Sequence, residues 1–169
     1  MEAKIMSFRI KNSNCLTFDE IHVGDKLPDL VHDVTATSII LGALASRDWR
    51  PMHHDRDFAQ QRNGARDIFM NTPNQAAWLQ RFIEDWAGPT CRLARYKFRM
   101  GDSICPGDKM VFKGEVENKE QDDTACCWVN LKLNLSVDDK LKTGFTARVA
   151  VPAKQGDNPW LRKDANWQP

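Results

Sequence analysis

Thr72-Pro73-Asn74-Gln75-Ala76-Ala77-Trp78-Leu79-Gln80-Arg81-Phe82-Ile83-Glu84-Asp85-Trp86-Ala87-Gly88-Pro89 is the stretch that decides the fold. Thr72 and Gln75 make a capping-box pattern, and Pro73 falls at the first helical position. Ala76, Leu79, Phe82, Ile83 and Trp86 then recur on one face at helical spacing. Gln80, Arg81, Glu84 and Asp85 lie outside that stripe. Gly88-Pro89 ends the element. The pattern predicts one long helix whose apolar side belongs to the core, not to a cofactor.

C-terminal to it, from Arg92, the period shifts toward two. Leu93 to Met100 alternates partly until Gly101, and Cys105-Pro106-Gly107-Asp108 is a turn. Met110 to Val116, Thr124 to Val137 and Thr143 to Val151 read as strands, with Asp138-Asp139 a tight link between the last two. About four strands in an antiparallel meander, with the helix segregated on one face, define an α+β arrangement. On the N-terminal side, Phe18 to Leu30 is a short extended lead-in that turns at Gly24-Asp25, and Pro28 excludes a long helix there. Thr35 to Ala45 is a helix capped by Thr35 or Thr37, and Ile39, Ile40, Ala43 and Leu44 predict that it is buried. Asp55 caps a short helix that runs to Arg62 and stops at Asn63-Gly64. Asp67 to Met70 is a short buried connection. The expected organisation is an N-terminal arm over 1–17, one domain over 18–152 and a C-terminal tail over 153–169 that packs on the surface or on a partner.

Composition narrows the function. A chain of 169 residues fits one domain with a core of useful size. The net charge of +1 gives no nucleic-acid footprint. Cys15, Cys91, Cys105, Cys126 and Cys127 are odd in number and lack any Cys-x-x-Cys spacing, so reduced thiols and a cytoplasmic location are expected, without a zinc site. Met1 to Lys11 has no apolar signal-peptide core. The longest apolar run, Ile39 to Ala45, is far below the ~20 residues of a membrane helix. No phosphate-binding glycine loop and no Gly-x-Ser-x-Gly elbow occurs, and neither a cofactor nor a metal is expected. His53-His54-Asp55 has too few companions to hold a metal, because adjacent histidines point in different directions.

The chemistry concentrates between Ser46 and Ala59. Asp48 and His53 are five positions apart across Pro51, so no single helix carries both. Arg50, before the proline, is pushed toward extended backbone. A kinked loop can turn the carboxylate and the imidazole to one point, where they can move protons near neutral pH. The bland alternative is a pair of solvated side chains in a turn. Asp55 has a structural task as a helix cap. Asn71-Thr72 admits two readings: a plain N-cap, or backbone N–H donors at the positive end of a helix, aimed at an oxyanion.

Ser46-Arg47-Asp48-Trp49-Arg50-Pro51-Met52-His53, followed by Ala59, resembles the hydratase-2 motif of the MaoC-like family: Ser-Gly-Asp-x-Asn-Pro-aliphatic-His, then a small residue six positions later. Pro106-Gly107-Asp108 resembles the family's Pro-Gly-Asp turn. Ser46-Arg47-Asp48, His53-His54-Asp55-Arg56-Asp57, Asp67-Ile68-Phe69 with Asn71, and Asp85-Trp86-Ala87-Gly88-Pro89 resemble the short subunit of bacterial steroid side-chain enoyl-CoA hydratases. The resemblance covers about Phe18 to Val151.

It implies a hot-dog fold: a long central helix wrapped by a curved antiparallel sheet. It also implies an (R)-specific 2-enoyl-CoA hydratase or dehydratase that acts on a trans-2-enoyl-CoA thioester, with a bulky or steroid-type acyl chain in the closer branch. CoA is part of the substrate there. Asp48 and His53 are the implied catalytic pair, and backbone groups at Asn71 and Thr72 are the implied oxyanion donors. The implied assembly is a homodimer, or a heterotetramer with a second hot-dog subunit. Two departures stand out. Arg47 replaces the motif glycine. Arg50 replaces the motif asparagine, where it either reaches a CoA phosphate or is solvated. They motivate the alternative of a non-hydratase hot-dog protein, either a thioesterase or the acyl-CoA-binding half of a heteromer.

Overall fold

The computed structural model describes residues 15–169, so the expected N-terminal arm lies almost wholly outside the described residues. The elements run β1 (Lys26–Asp33), α1 (Ala36–Ala45), α2 (Arg56–Asn63), α3 (Thr72–Ala87), β2 (Arg92–Met100), β3 (Lys109–Gln121), β4 (Cys127–Val137) and β5 (Lys140–Val151). Short 3-10 turns occupy Phe18–Glu20, Pro51–His53, Pro159–Leu161 and Asp164–Asn166.

The long helix stands where its apolar stripe places it, but its cap is one residue earlier than the capping box predicts. Asn71 is the N-cap, and its side-chain oxygen accepts the Asn74 N–H at 3.1 Å. Thr72 opens the helix and Pro73 follows, where a missing N–H costs nothing. Gln75 has no capping role. It is fully buried, and its Oε1 accepts the Thr143 hydroxyl at 2.8 Å, which ties the first turn of α3 to β5. Leu79, Phe82 and Ile83 are buried against the sheet, while Ala76 and Trp86 are half-buried at the edges of the stripe.

The sheet has five strands in the order β1-β3-β4-β5-β2, all antiparallel. The expected meander holds only for β3-β4-β5. The strand after the helix, β2, pairs with β5 rather than β3, because the chain crosses the end of the sheet between Met100 and Lys109. The lead-in read as merely extended contributes the fifth strand, β1, on the other edge. Pro28 fits it because it falls at the β1 bulge between Leu27 and Leu30, at an edge where a missing donor is tolerated. The Asp138-Asp139 link is a two-residue hairpin turn with both residues left-handed, at φ 49° and 59°.

α3 and the inner face of all five strands share one core, with the Phe82 and Phe112 ring centroids 5.6 Å apart. A smaller apolar patch lies on the outer face, where Trp128 is fully buried beneath Trp167, centroids 5.0 Å apart. The Arg92 guanidinium lies 3.6 Å from the Trp167 ring centroid, and the Trp160 indole donates to the Cys91 carbonyl at 3.1 Å. The C-terminal segment is thus packed on the sheet. α1 is less buried than its composition predicts. Ile39 and Ala43 are covered, but Leu41 and Leu44 are 58% and 44% exposed. None of the described helices is long and apolar enough to cross a membrane.

Candidate active site

α1 delivers the chain to Asp48 through a defined stop. The Arg47 N–H donates to the Leu44 carbonyl at 3.0 Å, and the Asp48 N–H to the Ala43 carbonyl at 2.9 Å. These two bonds form a Schellman ending, which needs a left-handed residue at Arg47. Arg47 has φ 53°, which explains the glycine of the motif; a side chain there costs roughly 1–2 kcal/mol. A 3-10 turn over Pro51–His53 then brings His53 back toward Asp48. α1 also touches the start of α3 closely: a methyl group at Gly42 would lie 2.0 Å from Asn74 Nδ2, which donates to the Ser38 carbonyl.

The two halves of the motif meet at 3.4 Å, from His53 Nε2 to Asp48 Oδ2. Both are shielded; the side chains are 4% and 10% exposed. His53 Nδ1 lies 2.7 Å from the Phe69 carbonyl, and the Phe69 ring meets the imidazole edge-on at 5.1 Å. A carbonyl oxygen only accepts, so Nδ1 carries a proton, and in the neutral ring the Nε2 lone pair is the one that faces Asp48.

Asn71 ties the centre to α3. Its Nδ2 donates to Asp48 Oδ2 at 3.0 Å and to Ser46 Oγ at 2.9 Å, while its oxygen caps the helix. Arg50 is largely exposed, with its side chain 66% accessible, but its guanidinium is turned onto Asp48. Its Nε donates to Asp48 Oδ1 at 2.8 Å and its Nη2 to Oδ2 at 3.0 Å, a two-pronged grip of the carboxylate. The Arg50 guanidinium, helped by Asn71, holds the Asp48 carboxyl well below the usual carboxylate range, against burial, which acts the other way.

Thr72 is exposed, and its hydroxyl donates to Met100 Sδ at 3.3 Å. Its backbone N–H opens α3 next to the Asn71 that holds Asp48. Asp55 caps α2 by accepting the Phe58 N–H at 3.0 Å, and Gly64 ends that helix at φ 64°. Both match expectation. Ser46 and the Phe69 carbonyl complete the set of contacts. Ser46 stands in the motif, whereas a main-chain oxygen such as that of Phe69 leaves no sequence signal. Among the described residues, no cluster of three or more His, Cys, Asp or Glu side chains is placed to hold a metal ion.

A long helix held by a five-stranded antiparallel sheet, with an Asp–His pair at the helix start, is a hot-dog domain of the hydratase type. No protein-family model matches the sequence. The 3-oxo-4,17-pregnadiene-20-carboxyl-CoA hydratase beta subunit of Mycobacterium tuberculosis is 39% identical over 94 residues, which span 56% of this chain and 72% of that protein. In structure, the ChsH1-ChsH2 complex from the same organism matches at a TM-score of 0.69 and 30% identity, covering 77% of this chain and 98% of the matched chain. The R-hydratase PhaJ1 from Pseudomonas aeruginosa shares the fold at a TM-score of 0.73 and 18% identity, over 83% of this chain and 88% of its own. The chain belongs to the MaoC-like family of enoyl-CoA hydratases.

Proposed function

We propose that this protein adds water to a trans-2-enoyl-CoA thioester to give an (R)-3-hydroxyacyl-CoA, or runs the reverse dehydration, and that its acyl group is bulky and steroid-like. The observation that carries the reading is the facing of His53 Nε2 and Asp48 Oδ2 at 3.4 Å in a shielded centre. Both atoms are acceptors when the imidazole is neutral. A water beside them donates one O–H to His53 Nε2, lies in the field of the Asp48 carboxylate and turns an oxygen lone pair outward. That oxygen bonds to the β-carbon as its proton leaves to the pair. The carbon–carbon π electrons shift toward the α-carbon and the thioester carbonyl, and the proton taken up by the pair is returned to form the α C–H bond, which restores the pair. Backbone N–H groups of Asn71 and Thr72, at the positive end of α3, would carry the transient charge on the carbonyl oxygen. The steroid-like acyl group rests on the 39% identical relative, whose name specifies such a thioester.

The test is incubation with crotonyl-CoA and with a bulky enoyl-CoA, following loss of the conjugated double bond and, separately, free thiol. Hydration without thiol release, faster for the bulky substrate, is expected. Thiol release without hydration identifies a thioesterase and sinks the reading.

The partner in this reading is a second, different hot-dog subunit. β2 has an open edge, with Tyr96 and Met100 44% and 38% exposed on its inner face. On its outer face Arg95, Lys97 and Arg99 stand in line. An antiparallel copy of β2 centred on Lys97, with its outer face on the same side, would meet them cation to cation, which is destabilising. Sedimentation of the chain alone should show weak self-association at low salt. A tight homodimer there would contradict this part of the reading.

A further inference from the structure

We propose that Arg50 is a positioning residue that fixes Asp48 as a permanent anion and thereby leaves proton transfer to His53. The inference rests on the hydratase reading and divides the work of its two side chains.

Carboxylate oxygens offer about four acceptor positions. Arg50 Nε donates to Oδ1, joined by the Arg50 backbone N–H at a longer 3.4 Å, and Arg50 Nη2 and Asn71 Nδ2 donate to Oδ2. Oδ2 is thus fully engaged, and it lies 3.4 Å from His53 Nε2. Three side-chain N–H donors and one main-chain N–H on one carboxylate stabilise its charged form and weaken it as a base. The imidazole is under no such load. Its Nδ1 is committed to Phe69, and Nε2 is the atom that faces Asp48. Asp48 therefore orients the water and stabilises the imidazolium, and His53 Nε2 accepts the proton from the water and holds it for return to the α-carbon. An asparagine at position 50, as in the family motif, could supply one neutral donor where Arg50 supplies two charged ones.

The grip also argues against Arg50 as a phosphate contact. Its two prongs already match a carboxylate in the bidentate geometry that arginine favours, and Pro51 directly after it fixes the turn from which it reaches back.

Arg50→Met and Arg50→Lys separate the roles, assayed with an enoyl-CoA and with the corresponding phosphate-free enoyl-pantetheine thioester. Positioning predicts that Arg50→Met lowers kcat about tenfold on both thioesters with little change in KM, and that Arg50→Lys recovers part of the loss. It also predicts that the acid limb of the kcat/KM profile moves to higher pH in Arg50→Met. A loss confined to the CoA ester and carried by KM makes Arg50 a phosphate contact and overturns the proposal, as does full activity on both. The Asp48 carboxyl is followed independently by carbon NMR titration, which needs no turnover. It should titrate at higher pH in Arg50→Met than in the wild type; an unmoved titration also overturns the proposal. A depressed folded-state carboxyl adds stability above its unfolded value of about 3.9, and loses it as pH falls through the folded value. The stability gap between wild type and Arg50→Met therefore narrows below about pH 4. If the wild type hydrates neither thioester, the hydratase reading fails while the titration still judges Arg50.

Discussion

His53→Gln lowers kcat/KM for enoyl-CoA hydration by about 10²–10⁴-fold, the usual range for loss of a positioned acid–base group. Glutamine keeps a polar side chain near Phe69 but cannot take up a proton. Asp48→Asn falls in the same range for a different reason. It keeps the shape but removes the negative charge that faces His53 Nε2 and binds Arg50, with Nε at 2.8 Å. The double variant is expected to be little worse than the poorer single one, because the two groups act on the same water. Steady-state kinetics, with circular dichroism as a check on folding, decides it. Multiplying losses would mean that the two side chains act independently.

Asn71 has the next largest effect, because three hydrogen bonds converge on one buried amide. Asn71→Ala removes the cap of α3, a loss of about 0.5–2 kcal/mol, visible as an earlier unfolding midpoint. Asn71→Asp is more telling. Aspartate caps as well as asparagine, so helix stability is largely kept. Its carboxylate, however, replaces the donor that reaches Asp48 Oδ2 at 3.0 Å and sets like charges against each other. A charged hydrogen bond is worth roughly 1.5–3 kcal/mol, so hydration should fall about 10- to 100-fold while the unfolding midpoint moves little. A variant that is stable and fully active would show that the Asn71 amide does not organise Asp48.

Much of this was legible in the chain because it rests on local rules. The stripe from Ala76 to Trp86, the Asp55 cap and the Gly64 stop each follow from side chains a few residues apart, and each stands as read. What failed was long-range. Nothing local says that β2 joins β5, a pairing that sets Arg92 against Ala150, nor that a proline-bearing lead-in becomes an edge strand. Two adjacent polar residues, Asn71 and Thr72, can each cap a helix; Asn71 does so, and Gln75, the partner the capping box needs, is instead bonded to Thr143. In the site, the motif register singled out Asp48 and His53, and the fold brings them together. Arg47 and Arg50 read only as departures. The left-handed backbone explains the first, and the grip on Asp48 gives the second a definite contact.

The most direct measurement is the configuration at C3 of the product formed from a trans-2-enoyl-CoA, resolved by chiral chromatography. Delivery of water from one fixed side by Asp48 and His53 predicts a single enantiomer, and the proposed hydratase reading makes it (R)-3-hydroxyacyl-CoA, formed by the wild type and nearly lost in Asp48→Asn. An (S) or racemic product, or unchanged formation in Asp48→Asn, would contradict the account.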